Sequence, residues 1–118
     1  MDIKIKRAYE EPAAEDGCRI LVDRLWPRGM SKEKARIDLW PRDLAPSKEL
    51  RSWYGHDPEK WREFRARYFA ELDSKPGLVH ELIESTRGKT VTFVYSSKER
   101  RLNNAYALKE YIENLKRA

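Results

Sequence analysis

Thr90–Tyr95 reads TVTFVY, six residues dense in β-branched and aromatic side chains. Such a run fits a pleated, buried surface and makes this stretch a strand. What surrounds it is helical in pattern. Upstream, Leu78, Val79, Leu82 and Ile83 form an apolar stripe that Gly88 closes. Downstream, Ser96 and Glu99 have the spacing of a capping box, predicting a helix that runs to about Lys116. Its apolar face would be Leu102, Ala105, Leu108, Ile112 and Leu115. A strand set between helices restricts the chain to the mixed α/β class.

The rest of the sequence supplies more of both elements. Ile3 and Ile5 alternate with Lys4 and Lys6, the two-residue period of a half-buried strand. Cys18–Leu25, CRILVDRL, reads as an interior strand ended by Trp26-Pro27-Arg28-Gly29. Between these two lies a loop whose Asp16-Gly17 has the chemistry of a hairpin turn. Residues 30–46 read as a covering loop with one short turn, because Trp40-Pro41 and Ala45-Pro46 favour extended backbone. Ser47 is placed to cap a short helix, Lys48–Tyr54, that Gly55 ends. Asp57-Pro58-Glu59 then starts a helix whose stripe is Trp61, Phe64, Tyr68 and Leu72. The expected fold is α/β: a small single-domain sheet over residues 1–118, with helices packed on it in two or three layers.

Composition narrows the classes. The 118 residues are 38% charged and 40% hydrophobic, with a mean hydropathy of −0.89. Four Trp, six Tyr and three Phe supply the large apolar bodies that disordered chains lack. No apolar run approaches the roughly 20 residues that cross a bilayer, so no membrane contact is expected. The start, Met1-Asp2-Ile3-Lys4, has no apolar secretory core. One cysteine excludes an internal disulfide, and with only two histidines no metal site is expected. A cytoplasmic globular domain follows, and no motif names a cofactor.

The net charge of +5 is unevenly spread. Residues 10–16 hold four acids and no base, whereas residues 17–36 hold six bases against Asp23 and Glu33. Lys98, Arg100 and Arg101 form a second basic cluster. Positive charge at this density attracts phosphates, nucleic acid, acidic metabolites or lipid surfaces. The preference for Arg within 19–28 favours recognition, since a guanidinium fork fits phosphate or carboxylate bidentately.

In open α/β sheets ligands collect at the carboxyl ends of the strands. If the strands near residues 19–25 and 90–95 are parallel neighbours, Arg24 and Arg28 converge there on Ser96 and on the orphan amides of a helix start. Asn103 or Asn104 would add amide contacts. The plainer alternative is that Ser96 only caps, Arg24 only pairs with Asp23 or Glu33, and the asparagines are solvated. His56 is the imidazole next to a carboxylate, Asp57, and in a cleft it can act as general acid or base. Asp57 also has a cap to make. His80 reads as a surface residue, and Cys18 as a small hydrophobe rather than a nucleophile.

The wording of the chain is informative in its own right. Asp16-Gly17 before RILVDRLWPRG (19–29), WPRDLAPSKELRSWYGHDP (40–58), the aromatic stripe at 61, 64 and 68, and VTFVYSSK (91–98) with Asn103 and Ala105 resemble the YeaO-like family. That resemblance covers nearly the whole chain and implies one α/β domain of unknown function, bacterial or archaeal, with no established reaction. Cys18 and Leu102 depart from the family's pattern. The first departure argues against thiol chemistry. The second, at a position where the family often has histidine, weakens a metal or acid–base role there. Arg51, which matches the pattern, joins the candidates because it lies on a capped helix near His56.

The expected site is therefore Arg24, Arg28, Arg51, Ser96 and Asn103 as ligand-binding residues, with His56 as the proton handler if chemistry occurs. The expected ligand is a phosphorylated or carboxylated small molecule, with nucleotides included. Two alternatives stand beside it: a nucleic-acid-binding module using the basic surface of 19–36 and 98–101, and a protein-partner module without chemistry.

Overall fold

The protein is described by a computed structural model covering residues 1–117, so Ala118 lies outside the described residues. Three strands, β1 (Asp2–Arg7), β2 (Cys18–Leu21) and β3 (Thr90–Tyr95), form one sheet in the order β1-β3-β2. Both neighbours run parallel to β3, with Asp2 opposite Thr90 and Cys18 opposite Val91. The chain continues through five helices: α1 (Lys32–Ala35), α2 (Lys48–Tyr54), α3 (Trp61–Asp73), α4 (Pro76–Ser85) and α5 (Asn104–Arg117).

The strand alternation separates two faces. Ile3 and Val91, then Ile5, Phe93 and Ile20, line one face and pack into the main core with Leu50, Phe64, Tyr68, Leu72, Leu108 and Ile112. Helices α2, α3, α4 and α5 all contribute to that core, so this is a two-layer sandwich of helices on a sheet. The opposite face carries Leu21 and Val94, packed with Ala8 just after β1 and covered by Trp26, Ile37 and Trp40 from the segment after β2. Trp26 and Trp40 meet edge to face at 5.5 Å. Their indole N–H groups donate to Met30 O and Asp23 O, so each buries its ring without orphaning its donor.

Local chemistry sets the helix boundaries. Ser47 Oγ accepts from Leu50 N and donates to Glu71 Oε2, while Gly55 closes α2 in the left-handed conformation. Asp57 accepts from Glu59 N ahead of a 3-10 turn that feeds α3. Three expectations fail, each for a physical reason. There is no hairpin at Asp16-Gly17, because β1 and β2 flank β3 and do not pair. The strand beginning at Cys18 ends at Leu21 and is an edge strand; its apolar character reflects a cover, since Leu21 N donates to Leu39 O and Asp38 N to Arg19 O. Ser96 opens no helix: its hydroxyl donates to Asp23, and α5 starts eight residues later, where Asn103 Oδ1 accepts from the N–H groups of Ala105 and Tyr106. Leu102 accordingly lies ahead of α5, and Leu115 is exposed.

On the face away from the helices the row Lys4, Thr92, Arg19 crosses the sheet. Buried Asp16 ties Thr92 and Arg19 of that row to Lys6 of β1. Its carboxylate accepts from Lys6 Nζ at 3.1 Å, Arg19 Nη1 at 2.7 Å and Ala13 N at 3.0 Å, and its carbonyl accepts from Thr92 Oγ1 at 2.7 Å. Burial pushes the Asp16 carboxyl up, but the Ala13 amide, Lys6 and Arg19 outweigh it and hold it below the usual carboxylate range. Gly17 follows at φ 64°, and a Cβ there would lie 2.2 Å from Thr90 O.

Two outcomes are expected. Because the folded Asp16 pKa lies below its unfolded value, its stabilisation is complete at neutral pH and is lost as pH falls through the folded value. Asp16→Asn should therefore be clearly less stable than wild type at pH 7, with the gap closing below about pH 4, as read by urea unfolding at several pH values. Gly17→Ala should cost more than the 1–3 kcal/mol or so of a strained backbone alone, because β2 must also move off Thr90. Its urea midpoint should drop accordingly.

Candidate functional site

Since the three strands are parallel, their carboxyl ends share one edge of the sheet. The chain leaves β1 towards Tyr9, β2 towards Asp23 and Arg24, and β3 towards Ser96 and Ser97. These segments enclose a cleft of about 400 Å³. α2 contributes Arg51, Ser52 and Tyr54 to its wall, the residue after Gly55 contributes His56, and the start of α5 contributes Asn103 and Asn104. All six residues singled out from the sequence, Arg24, Arg28, Arg51, His56, Ser96 and Asn103, line this one cleft.

They are not equivalent within it. Arg24 is half-buried, and its Nε is sealed from solvent without a hydrogen-bond partner. Arg28 is exposed and Arg51 half-buried. None of the three lies within ion-pair distance of a carboxylate among the described residues, whereas Arg19, Arg65, Arg67, Arg87 and Arg100 all do. Arg7 at the end of β1 spends its guanidinium on the carbonyls of Ser96 and Ser97. Three guanidinium groups without an ion pair thus meet at the cleft.

Ser96 and Asn103 have other work. Ser96 N and Oγ both donate to Asp23 Oδ2, at 2.9 and 2.8 Å. The amide at the end of β3 is therefore occupied by an internal carboxylate. Asn103 is buried, donates Nδ2 to Glu99 O and caps α5 through Oδ1. Both residues build the wall, but their side-chain hydrogen bonds are already made.

His56 is exposed and has φ 58°, directly after Gly55 at 52°. Two successive left-handed residues reverse the chain after α2, allowing Asp57 N to donate to Tyr54 O. A non-glycine there costs about 1–2 kcal/mol, and the result is an imidazole set edge-on to Tyr54 with ring centroids 6.0 Å apart. Tyr54 donates its hydroxyl to Leu102 O at 2.7 Å. Burial, followed by the charges of Glu99 and Asp57, pushes its pKa up to about 12, so it stays protonated at neutral pH. Glu99 is held below the usual carboxylate range by the Arg101 and Leu102 amides, with a smaller contribution from His56.

Sequence reasoning did not assign Asp23 to the site. The plainer alternative offers it, or Glu33, as a partner for Arg24, yet it accepts from Ser96 and from Asn104 Nδ2 instead. Its signal was position: a carboxylate immediately beyond a strand that precedes a loop of arginines. Tyr54 was hidden for a different reason, having been read only as the last residue of a helix. Cys18, at the amino end of β2, lies away from the cleft, and its thiol is pushed up by burial and by Asp38. Among the described residues no group of three His, Cys, Asp or Glu converges to hold a metal.

A parallel sheet with α2–α5 on one face and an arginine-lined cleft at the strands' carboxyl ends defines a small α/β domain. The chain belongs to the family DUF488-N3i, described as the inactive DUF488-N3 subclade, whose match spans residues 2–118. It is similar to the uncharacterized protein Rv3073c of Mycobacterium tuberculosis, at 40% identity over 110 residues, covering 93% of this chain and 92% of the relative. The uncharacterized protein Mb3100c of Mycobacterium bovis matches with the same figures. The uncharacterized protein YeaO of Escherichia coli is 36% identical over 115 residues, covering 98% of this chain and all of the relative. No solved structure matches. The YeaO-like resemblance read from the motifs is thereby established along nearly the whole chain.

If the Asp23 carboxylate joins the ends of β2, β3 and α5, Asp23→Ala should destabilise more than Ser96→Ala or Asn104→Ala. A double-mutant cycle between Asp23 and Ser96 should show a coupling of about 1–3 kcal/mol. Additive losses in urea unfolding would show that the shared bonds do not hold this corner.

Proposed function

We propose that this domain binds an anionic small molecule, carrying a phosphate or carboxylate, in the cleft at the strand ends. Arg24, Arg28 and Arg51 hold the anion, and His56 donates to it from the rim. Ser96 and Asn103 shape the wall rather than contact the ligand through their side chains. The observation that carries this reading is the buried, unpartnered Arg24 Nε beside two further arginines with no carboxylate in reach. A guanidinium nitrogen that has lost water without gaining an acceptor is costly, and an oxyanion reaching Arg24 Nε would supply the acceptor it lacks. Binding without turnover is favoured by the description of the family as inactive. His56 is accordingly assigned to ligand contact and not to a catalytic step. We further propose that residues 1–118 act as one unit in the cytoplasm, a reading supported by a single, unpaired cysteine. No helix among the described residues is long and apolar enough to cross a membrane.

Phosphate and sulfate should raise the melting temperature in proportion to occupancy. Arg28→Ala and Arg51→Ala should each leave the fold intact and weaken anion binding roughly ten- to a hundredfold, the loss of one charge-assisted contact. Equal stabilisation of wild type and variants across a range of anions would overturn the assignment. Submicromolar binding of duplex or single-stranded nucleic acid at physiological salt, with a steep salt dependence, would replace it with a nucleic-acid surface.

A further inference from the structure

The free hydrogen-bonding groups of the cleft sort by sign. Arg24, Arg28 and Arg51 can only donate. Against them, at the junction of β2 and α5, stand two acceptors in contact with one another. Asn104 Nδ2 donates to Val22 O at 2.9 Å and to Asp23 Oδ1 at 3.0 Å. Both partners are acceptors, so the amide nitrogen must face them and the side chain is fixed in one of its two orientations. Asn104 Oδ1 is left with no hydrogen-bond partner among the described residues, and it is not sealed from solvent. Asp23 receives three hydrogen bonds, from Ser96 N, Ser96 Oγ and Asn104 Nδ2. A carboxylate offers about four acceptor positions, so one remains.

A bare oxyanion satisfies the arginines and leaves this acceptor pair unanswered; turned towards it, the anion would be repelled by Asp23. A ligand that uses the whole cleft therefore brings donors to Asn104 and Asp23 while its anion meets the guanidinium groups. An ammonium would be a donor, but it would share a small space with three guanidinium charges. A neutral hydroxyl carries no such penalty. We propose that the ligand is a hydroxylated organic phosphate, of the sugar-phosphate or polyol-phosphate class. One hydroxyl donates to Asn104 Oδ1 and a neighbouring one to the remaining position on Asp23, so Asn104 is the residue that selects for the hydroxylated body. This inference rests on the anion-binding reading above.

The test compares glycerol 3-phosphate with n-propyl phosphate, which share a head group and chain length and differ in two hydroxyls, with inorganic phosphate as reference. Affinities come from amide NMR titrations of the intact protein. The expected result is roughly tenfold tighter binding of glycerol 3-phosphate than of propyl phosphate. In Asn104→Ala that advantage should fall below about twofold, with phosphate affinity little changed. Asn104→Ala also loses the bonds to Val22 and Asp23, so its spectrum and melting temperature are followed in parallel. Should it fail to fold, the wild-type comparison decides. Equal binding of the two esters, or preference for propyl phosphate, would overturn the hydroxyl proposal and leave the anion site standing. A full advantage kept by folded Asn104→Ala would overturn the assignment to Asn104. Failure of all three probes to bind would overturn the anion reading and this inference together.

Discussion

The Asp16 side chain reaches β1 through Lys6 and β2 through Arg19, and its backbone carbonyl receives Thr92 of β3. A sheet of three short parallel strands has little hydrogen bonding of its own, and in this one the two outer strands never touch. Its helical face is held by apolar burial, but on the other face the middle row is Lys4, Thr92 and Arg19, polar side chains that cannot bury without partners. Lys4 stays exposed and donates to Glu15 O, while Asp16 supplies the partners of the two buried members, Thr92 and Arg19. Arg19, almost fully buried, spends Nη1 on Asp16 and Nε on Ala35 O, which also anchors α1 beneath the sheet. Take that carboxylate away and a buried guanidinium loses its counter-charge, which costs far more than the pair contributes when intact.

The cleft follows from this frame. With both outer strands parallel to β3, three chain segments leave the sheet at the same edge, each carrying its own polar residues. Two kinds of group then separate. Carboxylates at that edge are held by internal neutral donors: Asp23 by Ser96 and Asn104, Glu99 by the amides of its own loop. Asp23 and Glu99 keep their charge, since these partners are neutral. The positive balance at the cleft comes from Arg24, Arg28 and Arg51, three arginines that no carboxylate among the described residues approaches within ion-pair distance.

Much of this was legible in the residues themselves. Periodicity placed α2, α3 and α4 because their apolar stripes and caps are local: Ser47 with Leu50, Asp57 with Pro58, and Trp61 through Leu72. The convergence of Arg24 and Arg28 on Ser96 was legible too, because strand ends in parallel sheets bring distant segments together. Arg51 and His56, on and just after α2, were candidates on other grounds and line the same cleft. Most of what failed depended on partners distant in sequence. Ser96 has the spacing of a cap, yet Asp23, 73 residues away, claims its hydroxyl. Cys18–Leu21 has the apolar composition of a central strand, yet it is an edge covered by Leu39. Asn103 looked like a ligand contact one turn into a helix and is instead the residue that starts it. For Ser96 and the Cys18 strand a hydrogen bond from elsewhere in the chain overrode a real local signal. For Asn103 the miss was local, since its side chain bonds only within its own turn, to Glu99, Ala105 and Tyr106.

The central position of β3 also has a consequence for how the chain acquires its structure. Neither β1 nor β2 has a strand to pair with until Thr90 and the residues after it are available, so a chain growing from its amino terminus holds two unpaired strand segments for most of its synthesis. Helices α2, α3 and α4 can form meanwhile, since their contacts are local, but the apolar stripes they present have no sheet to cover. Closure of the sheet then requires contacts spanning some 70 to 90 residues, which slows folding and lengthens the exposure of sticky surface. Lys4 and Lys6 on β1 are well suited to that interval: charge at alternate positions of an unpaired strand discourages it from pairing with a neighbouring chain before its own partner has been made.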